Sequence, residues 1–479
     1  MPRIFLVFTC FTMLIWSCRE QPFEIETTPH DIEWLANATG VKGGAILVPE
    51  NHDEPEGRKI KIAYAILQAR DTSISRYPLI FFAGGPGGKT LNPGLVDFLK
   101  QDPISEKRDV ILFDQRGIGY SSDLPDMSLD AFDLLAKNAD ESEELVLMQE
   151  LINRYQKKCE DQGIQTRYYN THQNARDVGM LFKHLGYEKY NLMGGSYGTR
   201  IARVVQDMFP EYIHTSLLDS PSPLSGDFLM DRLKSYSLAL SRIIDYCAQN
   251  PDCNDKYPKL EEDYYRAIDK LRQEPLAITM NDSMEIVINA QDGIYLLRRL
   301  LYQGNAREKA PELINAFIEG EGPIINQVLE IEYRLSNGLN LSMLLSVEKY
   351  EQFDLDNTAA AIENHYKQYP LMPVKLGFFD AFYQAGMQWH NGYLPPNERD
   401  FQTSDIPTLI FVNQYDPVTP PQNGHLFMNN LSNGKLLILD EGGHGAGNRE
   451  CKDRVMNAFM DDPASELDIS CLNIYNKTK

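Results

Sequence analysis

Positive charge is what this chain has least of. Its 46 lysines and arginines stand against 68 aspartates and glutamates, a formal charge of −22. So anionic a surface repels phosphate backbones and anionic lipid, which argues against nucleic acid as a partner and leaves cationic or amine-bearing ligands better matched. The alternative is acidity that only keeps an exported protein soluble. Metal-binding spacing is missing as well: among seven cysteines and nine histidines no group has the pattern of a zinc site. No metal or organic cofactor is expected. No repeat recurs at solenoid or propeller periods and no tract is of low complexity, which sets aside stacked-repeat architectures. The N-terminal apolar run, residues 4–16, has 13 residues, short of the ~20 that a spanning helix needs.

That run, preceded by Arg3, suits the apolar region of a signal peptide covering residues 1–17. It ends in Leu14, Ile15, Trp16, Ser17, Cys18, which resembles a bacterial lipoprotein signal with Cys18 as lipid carrier, although Trp16 departs from the small or branched residue usual there. Ordinary cleavage with Cys18 incidental is the alternative. Either way the mature chain is expected outside the cytoplasm, in the periplasm, on the outer membrane or secreted, with a lipid anchor its only contact with a membrane. Setting aside Cys10 and Cys18 leaves Cys159, Cys247, Cys253, Cys451 and Cys471, so at least one is free. Cys247 with Cys253 could close a small loop and Cys451 with Cys471 could tie down the C-terminal tail; the spacing leaves the connectivity open.

Short β-rich runs at 44–48 and 60–67, split by turn-prone residues, suggest a hairpin. The all-apolar runs 79–82 and 110–113 read as strands buried on both faces. Thr171 is a plausible N-cap for a helix that Gly186 stops, followed by a strand at 190–193, a glycine turn and a second helix that ends before Pro210. From residue 223 to 400 long amphipathic helical stretches dominate, with few strand-like runs, and strand character returns at 408–412 and 436–439. The expected fold is α/β: a mostly parallel sheet with helices on both faces, formed by residues 18–222 and 401–479, carrying an inserted helical cap at 223–400.

A serine hydroxyl is a poor nucleophile at neutral pH and needs a base, an orienting acid and donors for an oxyanion. Ser196 lies in Gly194, Gly195, Ser196, Tyr197, Gly198, between a strand and a helix, where the glycines leave room for a sharp turn. His444, flanked by Gly443 and Gly445 after the last strand, is the candidate base. Asp416, after the strand at 408–412, is the candidate acid; serine, aspartate, histidine is the chain order of α/β-hydrolases. The glycine loop 83–88 is read as an oxyanion loop rather than a phosphate loop, with the amides of Gly85 and Tyr197 as donors. Each has a plainer reading: a surface serine in a turn, a satisfied histidine, an aspartate that merely precedes a proline.

These residues resemble the proline iminopeptidase and tripeptidyl aminopeptidase family of serine peptidases, in the branch with a TAP-like C-terminal region. The matching pieces are Gly84, Gly85, Pro86, Gly87; Asp114, Gln115, Arg116, Gly117; Gly195, Ser196, Tyr197, Gly198; Leu218, Asp219, Ser220; Asp416, Val418, Thr419, Pro420; and Gly443, His444, Gly445. Two positions depart: Ala83 stands where a histidine is often found, and Ser220 where a glycine is common. The resemblance implies removal of residues from a free peptide N-terminus through an acyl-enzyme on Ser196, with acidic cap residues receiving the substrate ammonium. Phe379, Phe382, Tyr383 and Trp389 are candidates for pocket or core. An esterase, lactonase or other small-molecule hydrolase is the first alternative, because fold and triad serve many substrates. A non-catalytic surface lipoprotein is the second, and the complete Ser196, Asp416, His444 set speaks against it.

Overall fold

A computed structural model describes residues 25–74, 76–280, 284–353, 359–445 and 447–475. The signal and lipid-anchor readings at residues 1–18 lie outside them. In chain order the strands are β1 (Thr27–Thr28), β2 (Val41–Pro49), β3 (Lys59–Leu67), β4 (Leu79–Phe82), β5 (Val110–Phe113), β6 (Tyr190–Gly195), β7 (Ile213–Asp219), β8 (Leu276–Met280), β9 (Met284–Ile288), β10 (Thr408–Tyr415) and β11 (Gly434–Gly442). Nine of the described strands form one sheet in the order β1-β2-β3-β5-β4-β6-β7-β10-β11. The first three join antiparallel, as the hairpin reading requires, and every pairing from β5 to β11 is parallel.

Period-2 alternation divides the strand residues between two cores. Ile80, Phe82, Ile111 and Phe113 join the core that continues into the cap, while Leu79, Val110, Leu112, Leu409 and Phe411 meet Val455 and Phe459 of the last helix, Arg449–Asp461, on the opposite face. Both faces of the central strands are therefore covered, which is why these runs are apolar throughout. Helix starts follow their caps: Asn170, not Thr171, caps Thr171–Leu185 by accepting from the Gln173 amide, and Gly186 closes that helix at φ 72°.

Strand β10 lies directly beside β7, Leu409 opposite Leu217, although more than 180 residues separate them. The intervening chain leaves the sheet and returns to it, and its helices include Phe228–Gln249, Ala290–Leu300, Pro323–Gly338, Leu341–Glu351 and Gly377–Gly386. It also holds the antiparallel β8–β9 hairpin, which the helical reading of this region did not anticipate. Two earlier helices, Ser128–Leu135 and Glu141–Asp161, leave the sheet side and pack against Pro323–Gly338 and Gly377–Gly386. The helical layer is thus built from two separate parts of the chain.

Among the described residues two disulfides join Cys247 to Cys253 and Cys451 to Cys471. Cys159 is free and buried, and burial pushes its thiol up to about 12, so it stays protonated and unreactive at neutral pH.

Candidate active site

Ser196 is the hinge between β6 and the helix Tyr197–Met208, at φ 54° and ψ −123°. A non-glycine residue holds such a backbone only when its surroundings over-determine it, at a strain of roughly 1–3 kcal/mol. Three constraints are visible. The Ser196 amide donates to Asp219 O at 2.9 Å. A Cβ on Gly194 would collide with the Gly198 carbonyl, and one on Gly198 with the Phe82 carbonyl, so strand, turn and helix approach as closely as only glycines allow. Thr199 Oγ1 donates to Ser196 O at 2.6 Å.

Asp416 follows β10 and is fully buried. Its Oδ1 accepts from the Val418 and Thr419 amides at 2.7 and 2.9 Å, and its Oδ2 from Thr419 Oγ1 at 2.8 Å. The same Oδ2 lies 2.8 Å from His444 Nδ1. An ionised carboxylate can only accept, so Nδ1 carries the proton and Nε2 is left with a lone pair. Burial disfavours the imidazolium, yet Asp416, with smaller contributions from Tyr302 and Asp219, outweighs it and holds the His444 pKa above 6.5.

The loop carrying His444 is fastened from two sides. His444 N donates to Tyr302 O at 3.0 Å, and Gly443, at φ 85°, sits so close to the Tyr302 and Gln303 carbonyls that a side chain would collide with them. Gly445 N donates to Ser220 Oγ at 2.9 Å. Ser220 itself has φ 58°, which explains why glycine suits that position, and its hydroxyl uses the departure to anchor the histidine loop.

Ser196 and His444 line one cavity of about 370 Å³ together with Gly84 and Gly85. Gly84 packs against Ser196: a Cβ there would stand 3.0 Å from the Ser196 Cβ. Tyr197 is buried outside the lining, but as the first residue of its helix it has an amide without an intrahelical acceptor. Lys89 and Thr90 follow Gly88, so spelling alone does not set this loop apart from a phosphate loop. Geometry does: no helix starts at Thr90, whose amide and hydroxyl are spent on Asp114 Oδ1 at 2.7 Å and Phe113 O at 2.8 Å.

The Asp-Gln-Arg-Gly segment supports the loop from beneath. Asp114 accepts from the amides of Thr90, Leu91 and Tyr120, and Gln115 Nε2 donates to Ala83 O at 3.0 Å. Arg116, with no solvent exposure, makes a bidentate pair with Asp177 at 2.8 and 2.6 Å and donates to Glu50 O and Tyr168 O.

The rest of the lining differs from expectation. Phe379 and Phe382 line the cavity, whereas Tyr383 and Trp389 are buried outside it, the latter donating to Ser346 Oγ at 2.8 Å. Of the acidic cap residues expected around a substrate ammonium, Glu332 alone among the described residues lines the cavity, and it does so beside Arg232, Arg298 and Arg299. Glu332 is already engaged by Arg299 and by Tyr295 Oη at 2.8 Å. Tyr302 stacks edge-on against His444 at 5.4 Å; burial would raise its pKa, but Arg298, Arg299, His444 and Arg232 together bring it down to about 8. The sequence held one signal for this: Arg298 and Arg299 are adjacent within the apolar stretch from Ile294 to Leu301, where a helix cannot turn both to solvent.

Residues 77–275 match the family model of the alpha/beta hydrolase fold, and residues 378–471 that of TAP-like proteins. YuaR of Escherichia coli (strain K12) is 23% identical over 98% of this chain and 95% of its own. Serine protease Hip1 of Mycobacterium tuberculosis (strain CDC 1551 / Oshkosh) is 23% identical over 88% of this chain and 85% of its own. Tripeptidyl aminopeptidase of Streptomyces coelicolor (strain ATCC BAA-471 / A3(2) / M145) is 28% identical over 38% of this chain, and the match spans only 35% of that relative.

Proposed function

The chain belongs to the α/β-hydrolases with a TAP-like C-terminal region, and from that premise we propose that it is an exported serine aminopeptidase, of proline iminopeptidase or tripeptidyl aminopeptidase type. The single observation that carries the reading is the meeting of Ser196, the Asp416–His444 pair and the Gly84–Gly85 backbone at one cavity under the helical layer. In this reading Ser196 Oγ attacks the scissile carbonyl as His444 Nε2 takes its proton, and Gly85 and Tyr197 amides receive the oxyanion. His444 then returns the proton to the departing amine, leaving an acyl-enzyme that water hydrolyses by the same route. A roofed cavity of this size favours the end of a chain over its middle. Export is supported by the apolar run at 4–16 and by two disulfides, which persist in oxidising compartments.

A second reading, hydrolysis of a small ester, is favoured by the lining itself, where the only carboxylate among the described residues is already paired and little is left for a free ammonium. The purified mature protein, tested with aminoacyl and tripeptidyl fluorogenic amides, N-blocked controls and simple esters, separates the two. Release from free N-termini with loss in Ser196→Ala is expected. Cleavage of esters or N-blocked peptides alone would overturn the aminopeptidase.

A further inference from the structure

Three arginines at the nucleophile's cavity are unexpected in a chain of charge −22. Surface composition cannot have put them there, because all three sit on helices of the inserted segment with their side chains turned inward. Arg232 comes from Phe228–Gln249; Arg298 and Arg299 come from Ala290–Leu300. Their pairing is unequal. Arg299 has Glu332 as counter-ion. Arg298 is 2% exposed, donates to Tyr302 Oη at 3.2 Å, and has a buried Nε without a partner. Arg232 donates to the Phe228 carbonyl at 2.6 Å and stacks on the Phe228 ring at 3.5 Å. Neither Arg232 nor Arg298 has a carboxylate within 4.0 Å among the described residues.

A buried guanidinium without a carboxylate partner, as at Arg298, beside a half-buried one at Arg232, is unfavourable unless something else balances the charge. Glu348, whose charge acts on Arg232 from the helix Leu341–Glu351, is buried outside the cavity and lies nearer to Arg200. The remaining walls are mostly apolar and aromatic, including Phe132, Leu335, Phe378 and Phe379, with Ser128 and Ser336 among them. A ligand complementary to this lining has an apolar stem and ends in a carboxylate.

We propose that Arg232 and Arg298, with Arg299 and Glu332 completing the frame, form an anion subsite in the nucleophile's cavity that selects substrates bearing a carboxylate. The carboxylate has two possible sources, an acidic side chain next to the scissile bond or the C-terminus of a short peptide. The subsite rests on Ser196 being the nucleophile and is independent of whether the bond cleaved is an amide or an ester. It forks the planar carboxylate with two parallel donors, geometry that guanidinium offers and ammonium does not.

The test compares kcat/KM for matched pairs: glutamyl against glutaminyl fluorogenic amides, short peptides with free against amidated C-termini, and the mono-4-nitrophenyl ester of glutarate against 4-nitrophenyl pentanoate. Losing a charge-assisted hydrogen bond is worth about 10- to 100-fold, and the wild type should favour the charged member of at least one pair by that factor. Arg298→Gln and Arg232→Gln should each remove most of the preference through KM, the charged partner losing about tenfold more than the neutral one. Competitive inhibition of the wild type by glutarate but not by its diamide, which has no carboxylate, gives the same readout with no substitution. Equal use of charged and neutral partners, or equal loss of both in the variants, overturns the subsite. Preference for the charged ester with no amide cleaved keeps the subsite and overturns the aminopeptidase; cleavage of free N-termini with no charge preference does the reverse.

Discussion

The backbone of Ser196 and the ring of His444 are each held by more contacts than folding of a loop requires, and the consequences are measurable one residue at a time. Replacing Ser196 with Ala should reduce turnover by about 10,000-fold or more, and His444→Ala should match it, because nucleophile and base act as a unit. Asp416→Asn should fall less far, since it leaves an amide to hold the ring in the less suitable tautomer. The pH profile follows from the state of the imidazole. His444 must be neutral to accept a proton, and its pKa is raised, so activity should rise with pH through a midpoint above 6.5. Tyr302 contributes to that elevation, and its own hydroxyl titrates at about 8. Tyr302→Phe should therefore move the acid limb to lower pH. An unchanged limb in a pH series of kcat/KM would separate Tyr302 from the base. Ser196, Asp416 and His444 were legible because each follows a short apolar strand and carries its own turn residues. Tyr302 was not, because its importance comes from a carbonyl and a ring edge brought to His444 by the fold.

Elements show the same division. Four-residue strands such as β4 and β5 announce themselves because both faces are buried, while the helices of the inserted segment read only as amphipathic and give no sign of which neighbour they meet. The buried Arg116–Asp177 pair shows what a sequence motif can mean structurally: it locks the chain after β5 to the helix Thr171–Leu185 and to the end of β2. Arg116→Leu, which leaves Asp177 buried and with only His52 for company, should destabilise the fold by about 3–5 kcal/mol, read from urea unfolding. Helix Glu141–Asp161 offers the opposite case. Glu144 is buried against Gly377–Gly386, and burial first, then Asp380 and Glu141, raise its pKa from 4.5 to about 8. A folded pKa above the unfolded one means that the native state holds the proton more tightly. That contribution is complete below pH 4.5 and is lost as pH rises to about 8. Glu144→Gln should thus stabilise the protein by about 1–3 kcal/mol near pH 8 and leave it nearly unchanged near pH 4. A stabilisation of equal size at both pH values would mean that packing and not charge is responsible.

For the whole molecule, charge has two scales that oppose each other. The sum over the chain is −22, and it suggested amine-bearing ligands; among the described residues the lining of the cavity that holds Ser196 has three arginines and one glutamate. A total charge describes the field far from the surface, and a cavity answers to the few groups within its walls, so the two need not agree in sign. The opposition predicts how substrates respond to salt. An anionic substrate approaches against the outer field and then binds beside guanidinium groups shielded from solvent. Raising ionic strength from about 0.01 to about 0.15 M shortens the Debye length from ~30 to ~8 Å. That screens the approach far more than the buried contact. The kcat/KM for the glutarate monoester should accordingly rise with salt, by roughly two- to tenfold, while that for the neutral pentanoate ester stays level. A fall with salt would mean that the arginines project their field beyond the mouth of the cavity and overcome the acidic surface around it.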